Sequence, residues 1–295
     1  MRWVVFYFFL FSLGTTAQER PIFERFDERL AAEYRQKYQE LEKSSASEME
    51  VLEQKIKLST AYKEYDDLMD ALEDKLAITE TAELRYYLGG INGIKALSVY
   101  RLFALPYVRS MLYNFKQAIA LDPTYTPALE AYIESLCLVP SIIGGDVEKA
   151  IQLSDQLMQL NKVEGYFSKG FISKSLGEEA AAVSAYSQGF IALEALDFCQ
   201  SDQEAFFKDK SLNFSFKIAE ASTRFGIYPQ LGLCAINYFI AHKSDAYNIP
   251  FEWAYFRKAQ LHLLLNDKIA AEGAIENALA IQPNFDKAQA LKQAL

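Results

Sequence analysis

The chain has 295 residues, of which 51% are hydrophobic and 23% charged, and its formal net charge is −9. This is ordinary globular composition with ample apolar material for a continuous core, and the few Pro (8) and Gly (13) suit long helices. The acidic balance argues against nucleic acid and against anionic membrane surfaces as partners, because both need clustered Lys and Arg.

Arg2 is followed by an apolar run, Trp3 to Leu13, broken only by Ser12 and too short to span a bilayer comfortably. Ser12, Gly14 and Thr15-Thr16-Ala17 then supply small residues at an A-x-A-like site. The pattern predicts a secretory leader cut after Ala17, with an uncleaved anchor as the alternative. No later segment is apolar enough to predict a transmembrane span, and no cysteine stands at the cleavage point to carry a lipid. The expected location is therefore periplasmic or secreted, and not that of a lipoprotein. Cys137, Cys199 and Cys234 are too few and too widely spaced for a disulfide framework or a metal site. Each is expected as a small buried helix residue, and one pair remains able to bridge after export.

Beyond the leader, Phe23, Phe26, Leu30, Tyr34, Tyr38 and Leu41 recur at helical spacing. Ser45 with Glu48, and Ser47 with Glu50, fit capping boxes for a helix carrying Met49, Leu52, Ile56, Tyr65, Leu68, Leu72 and Leu76 on one stripe. Its charged face, from Lys63 to Asp74, reads as solvated. Thr79 is expected to cap a helix over 80–103, in which Gly89 and Gly93 share a face. A glycine inside a helix costs about 1 kcal/mol, so the pair predicts close approach of a neighbouring helix. Pro106 is expected to open the next helix, which ends at Asp122-Pro123, and Thr126-Pro127 the one after. Gly144-Gly145-Asp146 predicts a turn whose aspartate caps a helix to about Leu160. Helix pairs are then expected around Gly177, with others near 210–224, 229–241, 250–265, 268–281 and 286–295. Ser201 with Glu204 fits a further capping box. No segment alternates with period two, so the expectation is an all-α chain of about twelve helices.

Three stretches share one pattern of small residues, a large apolar residue and a turn: Phe115, Ala118, Asp122-Pro123; Gly177, Ala182, Tyr186, Gly189; and Ala271, Ile275, Ala278, Gln282-Pro283. With Tyr166 and Gly170 in the middle copy and Tyr255 and Ala259 in the last, this resembles the tetratricopeptide repeat family. Gly189 stands where that family has Ala and Glu194 where it has Pro, while Lys258 and His262 replace an apolar and an aromatic residue. The resemblance implies a right-handed superhelical solenoid of antiparallel helix pairs. The expected organisation is a leader over 1–17, a helical region over 18–78 and a repeat domain over 79–295 closed by a capping helix. The 80–103 helix, the Pro140…Gly-Gly-Asp-x-x-Lys-Ala block and the leader also look similar to the periplasmic T-component of TRAP-type transporters.

Stacked pairs leave a concave face lined by the first helix of each. Helical geometry turns Glu164, Phe167, Phe171 and Lys174, and then Trp253, Phe256, Gln260, Leu263 and Leu264, towards it. Aromatics in such a groove suit a protein or peptide partner. The alternatives are that these side chains pack against the next repeat, or that the array carries a hydrophobic small molecule for an envelope transporter. His242 and His262 lie on different helices, and neither zinc spacing nor a Gly-x-Ser-x-Gly elbow is present. No metal, cofactor or catalytic residue is expected; the reading is of a binding protein, not an enzyme.

Overall fold

The computed structural model describes residues 36–295 apart from 38, 42, 44–46, 63, 209 and 243–248. The leader ending at Ala17, the residues Phe23 to Tyr34 with Tyr38, and the Ser45 capping box lie outside the described residues. Among those described there is no strand. From residue 48 onward, among the described residues, fourteen α-helices follow one another: α1 (Glu48–Tyr62), α2 (Tyr65–Ile78), α3 (Ala82–Ser98), α4 (Arg101–Leu121), α5 (Thr126–Leu138), α6 (Val147–Leu160) and α7 (Lys162–Ser175). After them come α8 (Glu179–Ala195), α9 (Gln203–Phe207), α10 (Leu212–Phe225), α11 (Pro229–His242), α12 (Phe251–Leu264), α13 (Lys268–Ile281) and α14 (Asp286–Gln293). Apart from the short α9, each packs chiefly against helices next to it in sequence. No described helix is long and apolar enough to cross a membrane.

The caps explain most boundaries. Ser47 and Glu50 form the expected box: the Ser47 N–H donates to Glu50 Oε2 at 2.9 Å, and the Glu50 N–H donates to Ser47 Oγ. Asp146 accepts from the Lys149 N–H at 2.8 Å after the turn at Gly144, whose φ of +115° few other residues adopt. Other boundaries differ from expectation. The stripe from Met49 to Leu76 is two helices, because Glu64 takes a non-helical conformation (φ −86°, ψ 66°) between them. Thr81, not Thr79, caps α3 by accepting from the Leu84 N–H, while Thr79 closes α2 through the Lys75 carbonyl. The expected 80–103 helix stops at Ser98, because Val99 and Tyr100 are extended. Pro106 then lies inside α4 at its sixth position, where it removes the N–H that would have bonded the carbonyl of Leu102 near the exposed start of the helix. Asp202 outcompetes Ser201 as the cap of α9, accepting from the Ala205 N–H.

Apolar side chains gather in clusters that each join helices close in sequence. Leu52, Tyr65, Leu68 and Leu72 meet Leu84, Leu88 and Ile91, across the boundary expected at residue 78. Leu129, Ile133, Leu153, Leu157 and Ile172 join α5 to α7. The largest cluster packs Phe167, Tyr186, Phe190 and Leu193 with Phe198, Phe207, Phe214 and Ile218. Two more tie α10 to α12 and α12 to α14.

Glycines set the helix spacing within pairs, as expected for Gly89 and Gly93. A β-carbon added at Gly89 would lie 2.6 Å from Phe115 Cδ1, and one at Gly93 2.9 Å from Met111 Sδ. Residues 89 and 93 of α3 thus meet 115 and 111 of α4. In the middle pair, a β-carbon added at Gly170 would lie 2.8 Å from the Tyr186 ring and one at Gly189 2.7 Å from the Phe167 ring. The departure from the repeat pattern at 189 thereby has a cause: Phe167 fills the space an alanine methyl would need.

Gly90, next to Gly89, has nothing within 4 Å of where its β-carbon would be. Gly89→Ala is expected to lose about 1–3 kcal/mol of stability from overpacking, whereas Gly90→Ala gains a few tenths or more from helix propensity. Urea unfolding followed by circular dichroism distinguishes the two, and equal effects would contradict the close contact.

Candidate functional site

α5, α7 and α10 bring charged side chains together where they face one another. Glu130 and Glu134, one turn apart on α5, both reach Lys217 of α10: Lys217 Nζ lies 2.9 Å from Glu130 Oε1 and 2.8 Å from Glu134 Oε1. Glu164 of α7 lies beside them, with Lys210 Nζ 3.7 Å from its Oε2. Glu130 and Glu164 are almost wholly buried, the Glu164 side chain being 2% exposed, yet Lys217 keeps 29% of its side-chain surface open. The cluster therefore forms a mostly buried polar recess, with part of the Glu134 and Lys217 side-chain surface exposed.

Its electrostatics follow from that geometry. Burial works to discharge Lys217, but the Glu130 and Glu134 carboxylates outweigh it and push its pKa up, so the ammonium stays charged. Glu164 is pushed up from 4.5 to about 7, by burial first and the Glu130 charge second, against the pull of Lys210. Its Oε2 accepts no hydrogen bond from any described residue.

The residues expected to line a groove are distributed differently. Glu164 joins the recess. Phe167 is buried in the core, edge-on to Tyr186, Phe190 and Phe214 at 5.3–5.4 Å. Phe171 is buried, with Lys174 Nζ 5.9 Å from its ring centre. Phe256 is 6% exposed and packs with Trp253 against Phe285, so these aromatics seat the C-terminal helix instead of lying open. Lys174, Trp253, Gln260 and Leu263 are half-buried, and Gln260 accepts from Arg257. Leu264 is exposed. α10 links the two expected sets: Phe214 meets Phe167, and Glu220 lies 3.6 Å from Arg257 of α12. Glu130, Glu134, Lys210 and Lys217 were not singled out from the sequence. Their signal was there, since Glu130 is flanked by Leu129 and Lys217 by Phe216 and Ile218, so charge interrupts buried runs.

Comparison with known proteins finds no family model that matches this chain and no similar curated protein.

Other groups are fixed structurally. Cys199 and Cys234 form a disulfide, which pins the segment after α8 to α11. Cys199 lies in a turn, so the expectation of a buried helix cysteine fails there. Cys137 is free, and burial pushes its thiol up to about 11. His242 has both ring nitrogens engaged: Nε2 lies 2.5 Å from Glu204 Oε1 and Nδ1 2.8 Å from the Tyr238 carbonyl. Among the described residues no group of three or more His, Cys, Asp and Glu is placed to hold a metal ion. A cleft of about 210 Å³ between α1 and α2 has a mixed lining, with Lys55, Asp74 and Lys75 beside Val51, Leu52 and Ile78.

Two outcomes follow for stability. An unfolded Glu164 ionises above about 4.5, while the folded one holds its proton until about 7. Raising pH through that window therefore withdraws up to about 3 kcal/mol from the folded state. Glu164→Gln should remove this loss, so urea unfolding should show the variant gaining on the parent between pH 5 and pH 8; parallel pH profiles would contradict the shift. Lys217→Met strands two carboxylates and is expected to cost about 3–5 kcal/mol at pH 8. The double variant Glu130→Met, Lys217→Met should recover more than half of that in the same assay.

Proposed function

We propose that this chain is an exported, non-catalytic scaffold of tetratricopeptide-like helix pairs that binds a protein or peptide partner along the face made by α5, α7, α10 and α12. One observation carries the reading: charges are gathered and retained where these helices converge. A buried ion pair is a poor stabiliser, and apolar residues of similar size would serve a purely structural core at least as well. Charge held in a partly exposed recess instead suits recognition, because it rewards a partner with complementary groups and penalises one without. The polar links also run from helix to helix, Glu130 to Lys217 and Glu220 to Arg257, which supports one continuous face on a right-handed superhelix of antiparallel pairs. The packing of all helices but α9 on their sequence neighbours supports a repeat array, the architecture that most often serves binding. The α1–α2 cleft, with its mixed charges, does not suit a purely apolar ligand.

The test is site-specific photo-crosslinking in the native envelope, with a photoreactive phenylalanine analogue at Lys174 or Gln260 on the face and at exposed Glu272 of α13 as control. Adducts with a common envelope protein at 174 and 260, and none at 272, are expected. Adducts at 272 alone, or none anywhere, would refute the assignment.

A further inference from the structure

Between Glu83 and Asp122 the chain contains no Asp or Glu, but five basic residues: Arg85, Lys95, Arg101, Arg109 and Lys116. This stretch is α3, α4 and the bend between them. In a chain of net charge −9, the negative excess lies entirely outside it. Arg85 is tied to Glu80 and Lys95 to Asp66, whereas Arg101 and Arg109 are exposed and form no ion pair with any described residue.

The bend carries the densest group of exposed large apolar side chains among the described residues. Leu97, Tyr100 and Leu102 are 84–85% exposed and Phe103 is 65% exposed. They fall within seven positions, with Arg101 among them. Other strongly exposed apolar residues, such as Ile142 and Ile269, are scattered singly. Scattered residues need no explanation, but a contiguous cluster does. Because these side chains stand almost fully free, they form a protruding tip, not a groove. The Gly89–Phe115 and Gly93–Met111 contacts stiffen the two helices behind it, so the tip is presented by a rigid support.

We infer that the α3–α4 tip inserts into the interface of an anionic lipid bilayer. Leu102 and Phe103 enter the acyl boundary, Tyr100 sits at headgroup level, and Arg101 and Arg109 engage lipid phosphates. The chemistry favours lipid over a folded partner on two grounds. A convex tip of free side chains finds its complement in a deformable apolar layer, and the stretch itself has no carboxylate to repel the headgroups, the neighbouring Asp66 being paired with Lys95. The overall negative charge argues against broad adsorption, so contact is confined to this end of the molecule.

The experiment uses the full chain, so that its N-terminal apolar run contributes equally to every variant. Co-sedimentation is measured with vesicles of equal parts phosphatidylcholine and phosphatidylglycerol. Leu102→Ser, Phe103→Ser is expected to bind at least about tenfold more weakly than the parent, since two buried side chains are lost from the interface. Both positions are exposed, so folding is little affected, and unchanged circular dichroism verifies it. Phe103→Trp supplies a readout local to the tip: its emission, taken as the difference from the parent, should shift to the blue on the same vesicles. Undiminished binding by the double variant, or an unmoved tryptophan, would overturn the inference. Sedimentation without lipid that shows parent dimers lost in the double variant would assign the tip to a second copy of the chain and overturn it equally.

Discussion

Rings seated against glycines bring consecutive helices to the distance at which the rest of the packing becomes possible. Phe115 lies over Gly89, Tyr186 over Gly170 and Phe167 over Gly189. A helix backbone bare of side chains at one point lets a whole aromatic ring lie flat against it, which buries more apolar area than two mid-sized side chains meeting tip to tip. Glycine in mid-helix is unfavourable on its own, so the ring contact must more than offset it. Once the pair is closed, its outer apolar stripe needs a further helix, and that requirement repeats along the chain. The clusters from α1–α3 to α12–α14 are successive answers to the same need.

Against this apolar background the polar recess is the exception. Glu130 and Glu164 occupy buried positions of the kind that elsewhere hold Leu, Ile or Phe, and Glu134, Lys210 and Lys217 reach them from partly buried ones. While Glu164 keeps its proton, two carboxylates balance two ammonium groups; once it ionises the set carries one net negative charge, held at considerable desolvation cost. Glu164 remains the least satisfied member and is the group most readily altered by a change of pH or by a newly arriving donor. The acid-free α3–α4 pair has the opposite character, with unbalanced charge and apolar side chains both turned outward.

Much of the helical layout was legible in the residues. Gly89 and Gly93 announced a close approach because glycine has no other reason to recur at four-residue spacing inside a helix. Asp146 after two glycines announced a cap, and α13 occupies the expected 268–281. No Gly or Pro marks the break at Glu64; its one signal is the nine-residue step from Ile56 to Tyr65, which carries the apolar stripe about half a turn round the helix. Phe167 and Phe256 show the limit of helical-wheel reasoning. A wheel says which side a residue faces, whereas α10 and Phe285 decide whether that side is open. The recess was hidden for a related reason. Glu130 and Lys217 are 87 positions apart, and only the way α7 and α10 fold back towards α5 brings them to 2.9 Å. The Cys199–Cys234 bridge likewise depends on where the irregular segment after α8 comes to rest.

The glycine-ring contacts also impose an order on how such a sequence can evolve. At the Gly189–Phe167 contact, a chain can exchange Phe167 for a smaller residue and only afterwards admit alanine at 189. The reverse path passes through an intermediate in which a methyl group and a full ring compete for one volume. Descent from an ancestor with alanine there would thus have required the backbone position to shrink before the ring could grow, a ratchet written in steric volume.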